Sequence, residues 1–341
     1  MITSIEISGL RGIRNGTLED FAPLTVLMGP NGCGKSTVLE ALLLGAASDL
    51  GAAVELCVRR RLEIVGGARF LCSDTAIAGE STARLAVRRL DRPGAQDKVR
   101  LSWKLGPSGL DVNWQEWSTI RSVRESSSKA WTWVTGCGID NVLASRYQNP
   151  NAPRPDPGVV RLLDQRFGSP RDPLTKIYTE TRKRGAAAIA RDLIRELAPD
   201  LEVIEILTPD NEPMLHLSFP DRSVPVALSG DGMELAVRLA LELSGRDGGL
   251  FLIEEPEAHQ HIAAMQRSAK VIAAAVRSGA RVVLTTHSLE FLDLLLDATG
   301  EQRLKDMALF QLRLKGGQLD SRRLSGEEIR RARSVIEQDL R

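Results

Sequence analysis

The chain has 341 residues, 43% apolar and 26% charged, which suits a globular protein with a large core arranged as one big or two ordinary domains. No apolar run approaches the ~20 residues of a membrane helix, and the opening MITSIEISGLRG lacks the basic start and apolar core of a signal peptide, so no membrane partner and a cytoplasmic setting are expected. A net charge of +1 excludes nucleic-acid binding driven by overall charge, and the four cysteines (Cys33, Cys57, Cys72, Cys137) show no CxxC spacing and fit a reduced compartment.

Along the chain, Ile2, Ile5, Ile7 and Leu10 alternate as in a half-buried strand that ends at the turn Arg11-Gly12. A second strand, Leu24–Met28, runs into the glycine-rich Gly29–Ser36, and residues from Thr37 to Leu44 are apolar at helical spacing, stopping near Gly45. From about 54 to 135 strand-like alternation takes over, as in Ala83–Val87 and Val99–Trp103, and all five tryptophans (Trp103, Trp114, Trp117, Trp131, Trp133) fall there. Pro150, Pro153, Pro155, Pro157, Pro170 and Pro173 then mark a linker or surface wrap. One helix is predicted over 175–197, a strand over Leu201–Leu207, a helix after Gly232, a buried strand at Leu250–Ile253, a long helix to about 277 and a strand at Arg281–Leu284. The tail from Leu309 reads as a small hairpin followed by a charged helix. Apolar strands alternating with helices predict an α/β sheet whose ligands sit at the carboxyl ends of strands.

Three strand ends carry chemistry. Gly29-x-x-x-x-Gly34-Lys35-Ser36 is a P-loop with a strand before it and a helix after it. Its glycines let backbone N–H groups curl around phosphate oxygens at a helix N-terminus. Lys35 is placed to reach the β/γ-phosphates and Ser36 to hold Mg²⁺, so nucleoside triphosphate binding is expected. Cys33 lies inside this loop, either as an oxidation-sensitive thiol or as plain packing. The second end is Phe251-Leu-Ile-Glu-Glu-Pro-Glu-Ala-His-Gln-His261, where Glu254 and Glu255 leave a buried strand together. One carboxylate there can support the metal while the other polarises an attacking water. An alternative metal set of Glu257, His259 and His261 fits no standard zinc spacing. The third end, Val282–Ser288, delivers His287, whose neutral imidazole can contact a γ-phosphate or that water.

Taken in order, Gly29–Thr37 (with Asn31 and Gly32 inside it), Ser229-Gly-Asp-Gly232, Phe251–Pro256 and Thr286-His287-Ser288 resemble the Walker A, signature, Walker B and H-switch elements of ABC-type ATPases. The opening ISGLRGIRNG, the LSGDGM signature and IEEPEAHQH are most similar to the SMC/RecF/OLD-like heads. The resemblance implies an ABC-type P-loop fold: a mixed central sheet, flanking helices and a β-rich lobe. It divides one ATPase head into a P-loop half (1–53), an inserted β-rich lobe (54–148), a proline-rich connector with a helical segment (149–200) and a half with the later motifs (201–341). It also implies ATP and Mg²⁺ as cofactors, with Lys35, Glu255 and His287 catalytic and Ser36 and Glu254 on the metal. Glu254 stands where aspartate is usual. Ser229, Gly230 and Gly232 would bind the phosphate held by a partner copy, giving a homodimer or higher homo-oligomer around two ATPs; an ordinary N-cap is the alternative for Ser229. Arg11 is expected near ribose or phosphate, with a surface arginine as the alternative, and Gln148 is the candidate Q-loop glutamine. A second LSGE at Leu324–Glu328 is read instead as a capping box, Ser325 with Glu328.

OLD-type relatives commonly carry a TOPRIM nuclease after the ATPase, whereas 54 residues follow His287 here, without a DxD pair. A stand-alone head of this type resembles the ATPase subunits of two-component phage-defence modules, which implies control of a separate effector, a nuclease or toxin. Two alternatives stay open: a repair-type head acting directly on DNA, and an ATP-binding scaffold with little turnover. For DNA, residues 59–100 hold ten Lys/Arg against five Asp/Glu, and Arg182-Lys183-Arg184 adds a second cluster.

Overall fold

Alternation in the opening residues does build a strand, with Ile5 and Ile7 buried and Glu6 between them exposed. The computed structural model describes residues 2–47, 53, 54, 56, 57, 71, 80–89, 96–106, 109–120, 123–133, 160–164, 173–244, 249–258, 260–334, 339 and 340. Up to residue 164 the elements are β1 (Ile2–Leu10), β2 (Ile13–Glu19), β3 (Leu24–Met28), α1 (Lys35–Ala46), β4 (Glu80–Arg89), β5 (Gln96–Gly106), β6 (Gly109–Ile120), β7 (Val123–Trp133) and β8 (Val160–Asp164). Next come α2 (Leu174–Lys183), α3 (Ala187–Arg195), β9 (Val203–Leu207), β10 (Met214–Ser218), β11 (Ser223–Pro225) and α4 (Asp231–Leu243). The remainder is β12 (Leu250–Glu254), α5 (Ile262–Arg277), β13 (Arg281–Thr285), α6 (Leu289–Thr299), β14 (Met307–Lys315), β15 (Gln318–Ser325) and α7 (Gly326–Ser334).

The chain divides into two units: Met1–Phe21, Gly29–Arg161 and Leu312–Arg322 form one, and Ala22–Met28, Leu162–Gln311 and Arg323–Arg341 form the other. In the first, β7, β6, β5, β4, β1 and β2 follow one another as an antiparallel series, with Gln318 and Leu319 of β15 running parallel to β2. This is the expected β-rich lobe, and the five tryptophans lie on β5, β6 and β7. Helix α1 is buried along all of Val38–Ala46, a stretch that is apolar apart from the buried Glu40. At Gly45 a Cβ would come within 2.5 Å of Val87 Cγ2, so glycine lets the helix approach β4.

In the second unit the strand order is β14-β3-β13-β12-β8, and β14, β3, β13 and β12 are parallel to their neighbours. Every residue of β3 and β12 is buried, the mark of strands covered on both faces. Phe251, Ile253, Val282 and Leu284 join one core with Ala236, Leu239 and Ala240 of α4, Ala269 and Ile272 of α5 and Phe291 of α6. A separate antiparallel sheet, β11-β10-β9, is attached. The architecture is thus mixed α/β with flanking helices and a β-rich lobe. One expectation needs correction: the single helix over 175–197 is two, α2 and α3. Gly185 adopts φ 74° between them, and the Gly185 and Ala186 amides turn back onto Arg182 and Thr181 carbonyls at 2.9 and 3.0 Å. Gln148, Cys72, Cys137, Arg59–Arg61 and the prolines from 150 to 170 lie outside the described residues. Among the described residues no helix is long and apolar enough to cross a membrane.

Candidate active site

Parallel register brings three strand ends level in the second unit. Glu254 of β12 is opposite Thr285 of β13, and Thr285 is opposite Leu27 of β3. The Thr286 amide donates to Leu27 O at 3.2 Å, which ties the end of β13 to β3. Chain continuity alone takes β3 from Met28 into Gly29, the first residue of the P-loop.

At the end of β12, Glu254 and Glu255 are both buried. Glu255 has φ 44°, a left-handed conformation that costs a non-glycine residue about 1–3 kcal/mol. The surroundings over-determine it: its amide is shared between Thr285 O and Thr285 Oγ1, each at 3.1 Å, and its carbonyl accepts from the Ala258 amide at 2.9 Å. Glu255 Oε1 comes to lie 3.2 Å from His287 Nε2, a hydrogen-bonding distance, with the imidazole about one-third exposed (32%).

Glu257 enters the same turn. Its Oε1 accepts from the Thr286 hydroxyl at 2.6 Å and from the His287 amide at 3.1 Å. Burial pushes its carboxyl above the usual carboxylate range, opposed by these hydrogen bonds. Gln260 braces the turn from the other side, donating to Pro256 O and accepting from the buried Ser268 hydroxyl at 3.3 Å. His261 caps α5, its Nδ1 accepting from the Ala263 amide. Glu257 and His261 thus have other partners, and His259 lies outside the described residues. Among the described residues no cluster of three or more His, Cys, Asp or Glu could hold a metal ion.

The P-loop, in the first unit, is curled around its lysine. Lys35 Nζ donates to Gly29 O at 2.8 Å and Pro30 O at 3.1 Å, with Cys33 Sγ at 3.8 Å. Gly32 and Gly34 adopt φ 77° and 94°, and no side chain caps the start of α1. At Gly29 a Cβ would strike Leu312 O at 2.5 Å and Cys33 Sγ at 2.8 Å. Cys33 is therefore part of the loop's packing. Asn31 and Gly32 are exposed, while Ser36 and Thr37 are half-buried on the first turn of α1. Backbone donors at an uncapped helix start, beside a lysine, are a donor set that fits a polyphosphate.

The remaining candidates divide. Ser229 does not cap α4: its hydroxyl donates to Val226 O at 2.6 Å, and the N-cap is Gly230 at φ 86°, without a capping side chain. Gly230 has nothing within 4 Å of a Cβ, whereas a Cβ on Gly232 would meet Ala264 Cβ at 2.6 Å, so Gly232 sets the approach of α4 to α5. Asp231 sits in the first turn of α4. Arg11 is engaged elsewhere, its guanidinium paired with the fully buried Glu40 and donating to Cys57 O at 3.1 Å. Ser325 and Glu328 do form the reciprocal capping box, at 2.7 and 3.3 Å. In the basic cluster, Lys183 pairs with Glu180 at 2.8 Å and Arg184 donates to Thr181 Oγ1 at 3.2 Å.

A family model described as "AAA domain, putative AbiEii toxin, Type IV TA system" matches residues 118–293, more than half of the chain, and one described as "AAA domain" matches residues 4–64. The chain belongs to the first of these AAA families. The uncharacterized protein MJECL11 of Methanocaldococcus jannaschii is 31% identical over 113 residues, which is 33% of this chain and 98% of that protein. Two solved structures share the fold. One is the SmcHead bound to the C-winged helix domain of ScpA (TM-score 0.55, 16% identity, 96% of this chain and 98% of that one). The other is the Smc head domain with an extended coiled coil bound to the C-terminal domain of ScpA, derived from Pyrococcus furiosus (TM-score 0.55, 13% identity, 99% of each chain).

Membership of this AAA family implies nucleotide binding and ATPase activity. Within the AAA chain, Glu257 is a residue of this turn to which the sequence gives no role beyond the metal set that its spacing disfavours. A signal was available, since Glu257 is one carboxylate too many for the two jobs given to Glu254 and Glu255. Its partners, Thr286 and His287, are 29 and 30 residues away, and only the parallel pairing of β12 with β13 brings them together.

Proposed function

We propose that this AAA chain is an ABC-type, Mg²⁺-dependent ATP hydrolase head of the OLD-like kind that self-associates around two ATPs and passes the switch to a separate effector protein. The observation that carries the reading is the Glu255–His287 contact at the level ends of parallel strands. Glu255 acts as the base on the attacking water, and His287 orients that carboxylate and senses the γ-phosphate. Lys35, with the loop amides from Gly29 to Thr37, binds the phosphates. Ser36 and Glu254 offer hard oxygens of the kind Mg²⁺ takes. When bound, the cation neutralises charge that builds on the β- and γ-phosphates. Ser229 and Gly230, at the uncapped start of α4, bind the phosphate held by the second copy. Control of an effector is supported by the toxin–antitoxin description of the family and by the partner protein bound to the Smc heads that share the fold. We take the effector to be a nuclease or toxin of a phage-defence module.

The test is solution mass by light scattering of Glu255→Gln with and without Mg-ATP, beside the same protein carrying Ser229→Arg. Glu255→Gln should lower turnover by roughly 10²-fold or more and double its mass with ATP, and Ser229→Arg should abolish the doubling. A monomer with ATP bound would overturn the sandwich and leave nucleotide binding intact.

A further inference from the structure

We propose that Glu257 is a positioning residue for ATP hydrolysis: its carboxylate fixes the loop that carries His287, so that the imidazole is held on Glu255. This rests on the reading of Glu255 as the base. One oxygen, Glu257 Oε1, accepts both the Thr286 hydroxyl and the His287 amide, at 2.6 and 3.1 Å. The Thr286 hydroxyl oxygen in turn accepts the Ser288 amide at 3.0 Å, and Ser288 Oγ accepts the Phe291 amide, which starts α6. A single carboxylate oxygen therefore governs three consecutive residues between β13 and α6.

Glu257 also belongs to the turn that positions Glu255. The Ala258 amide closes that turn on Glu255 O, and Gln260 ties Pro256 to Ser268 on α5. Glu255 and His287 are consequently linked twice, directly at 3.2 Å and through Glu257. The direct link is made by an imidazole that is about one-third exposed (32%). The second link removes backbone freedom at His287, which is where the ring's direction is decided. Burying a carboxylate to make these contacts is costly, and burial does push the Glu257 carboxyl up, a cost that a turn serving only to connect β12 to α5 would avoid. The phosphates are bound chiefly by Lys35 and the loop amides in the proposed function, so loss of these contacts should act on kcat more than on KM.

The test compares kcat and KM for Mg-ATP in Glu257→Ala, Glu257→Gln, Thr286→Val and the Glu257→Ala/Thr286→Val pair, with melting temperature measured for each. Glu257→Ala should lower kcat at least tenfold with KM within twofold of the parent. Glu257→Gln keeps an acceptor oxygen for both donors and should recover to within threefold. The pair should be no slower than the slower single variant, because the Thr286 hydroxyl ties the same loop to the same carboxylate oxygen. If Glu257→Ala does not fold, Thr286→Val carries the same expectation. A parental kcat in Glu257→Ala or Thr286→Val, additive losses in the pair, or no recovery in Glu257→Gln overturns the positioning role. Glu255→Gln is run beside them to separate the two ideas. Unimpaired hydrolysis in Glu255→Gln means that the base has been misassigned and the positioning role falls with it. Loss there, with Glu257→Ala unaffected, rejects only the present proposal.

Discussion

Glu40 is fully buried on α1, and its carboxylate is held by the guanidinium of Arg11, itself in a left-handed turn at φ 47°. Breaking such a pair leaves an uncompensated buried charge. Glu40→Ala should therefore destabilise the protein by about 3–5 kcal/mol, read as a lowered midpoint in urea. Replacing both partners by apolar residues of similar size, Arg11→Met with Glu40→Leu, should recover most of that loss. ATP affinity of the paired variant decides what Arg11 does. Unchanged affinity is expected from the contacts to Glu40 and Cys57 O, whereas a loss would restore Arg11 to the nucleotide. At this scale the sequence places Lys35, Glu254, Glu255 and His287 at or just beyond the ends of apolar runs, and the structure puts them just beyond β3, at the end of β12, just beyond β12 and just beyond β13. The contacts of Arg11 with Glu40 and of Glu257 with Thr286 are not legible there, because each joins residues 29 positions apart and no local spacing encodes a contact made by strand pairing or by a helix folding back.

Elements were legible in proportion to how fully their own residues decide them. Strands β3, β12 and β13 are bounded within one residue of where continuous apolar runs place them, because burial on both faces leaves no alternative. The 175–197 helix was over-extended because apolar periodicity continues across Gly185, and a left-handed C-cap interrupts the backbone without interrupting the pattern. Gly232 makes a sharper case. It reads as part of a phosphate-binding turn, yet its missing side chain is filled by Ala264, whose Cα is 3.3 Å from where a Cβ would stand. Gly232→Ala gains helix propensity worth about 1 kcal/mol, but forcing a methyl between α4 and α5 costs about 1–3 kcal/mol. A net fall in melting temperature is expected. Ala264→Gly added to Gly232→Ala should relieve the clash, so the double variant melts above Gly232→Ala. If that double variant is folded but no longer associates with ATP, Gly232 serves the phosphate as well as the packing.

At the scale of the whole molecule, the proposed self-association needs a surface, and one exposed apolar side chain stands beside the turn proposed to make it. Leu228 is 78% exposed, the most exposed large apolar residue among those described, and it immediately precedes Ser229. Single exposed leucines are ordinary on protein surfaces. This one stands beside a helix start whose N-cap, Gly230, offers no capping side chain. If a second copy's phosphate docks on Ser229 and Gly230, Leu228 is carried into the contact and loses its water. Burying a leucine is worth about 1.5–3 kcal/mol, so Leu228→Asp should weaken ATP-driven association of Glu255→Gln by about 10- to 100-fold in midpoint concentration. Two symmetry-related copies of the residue would push the effect toward the upper figure. If Leu228 acts only through the proposed contact between copies, ATP affinity measured below the association midpoint should stay at the parental value. Light scattering across a concentration series in saturating Mg-ATP reads the shift, and fluorescent-nucleotide titration at low protein reads the affinity. An unmoved midpoint would mean that the signature turn is not where copies meet, and the Ser229 assignment would fall with it. A loss of nucleotide affinity in the dilute protein would instead show that the turn acts on its own chain's ATP.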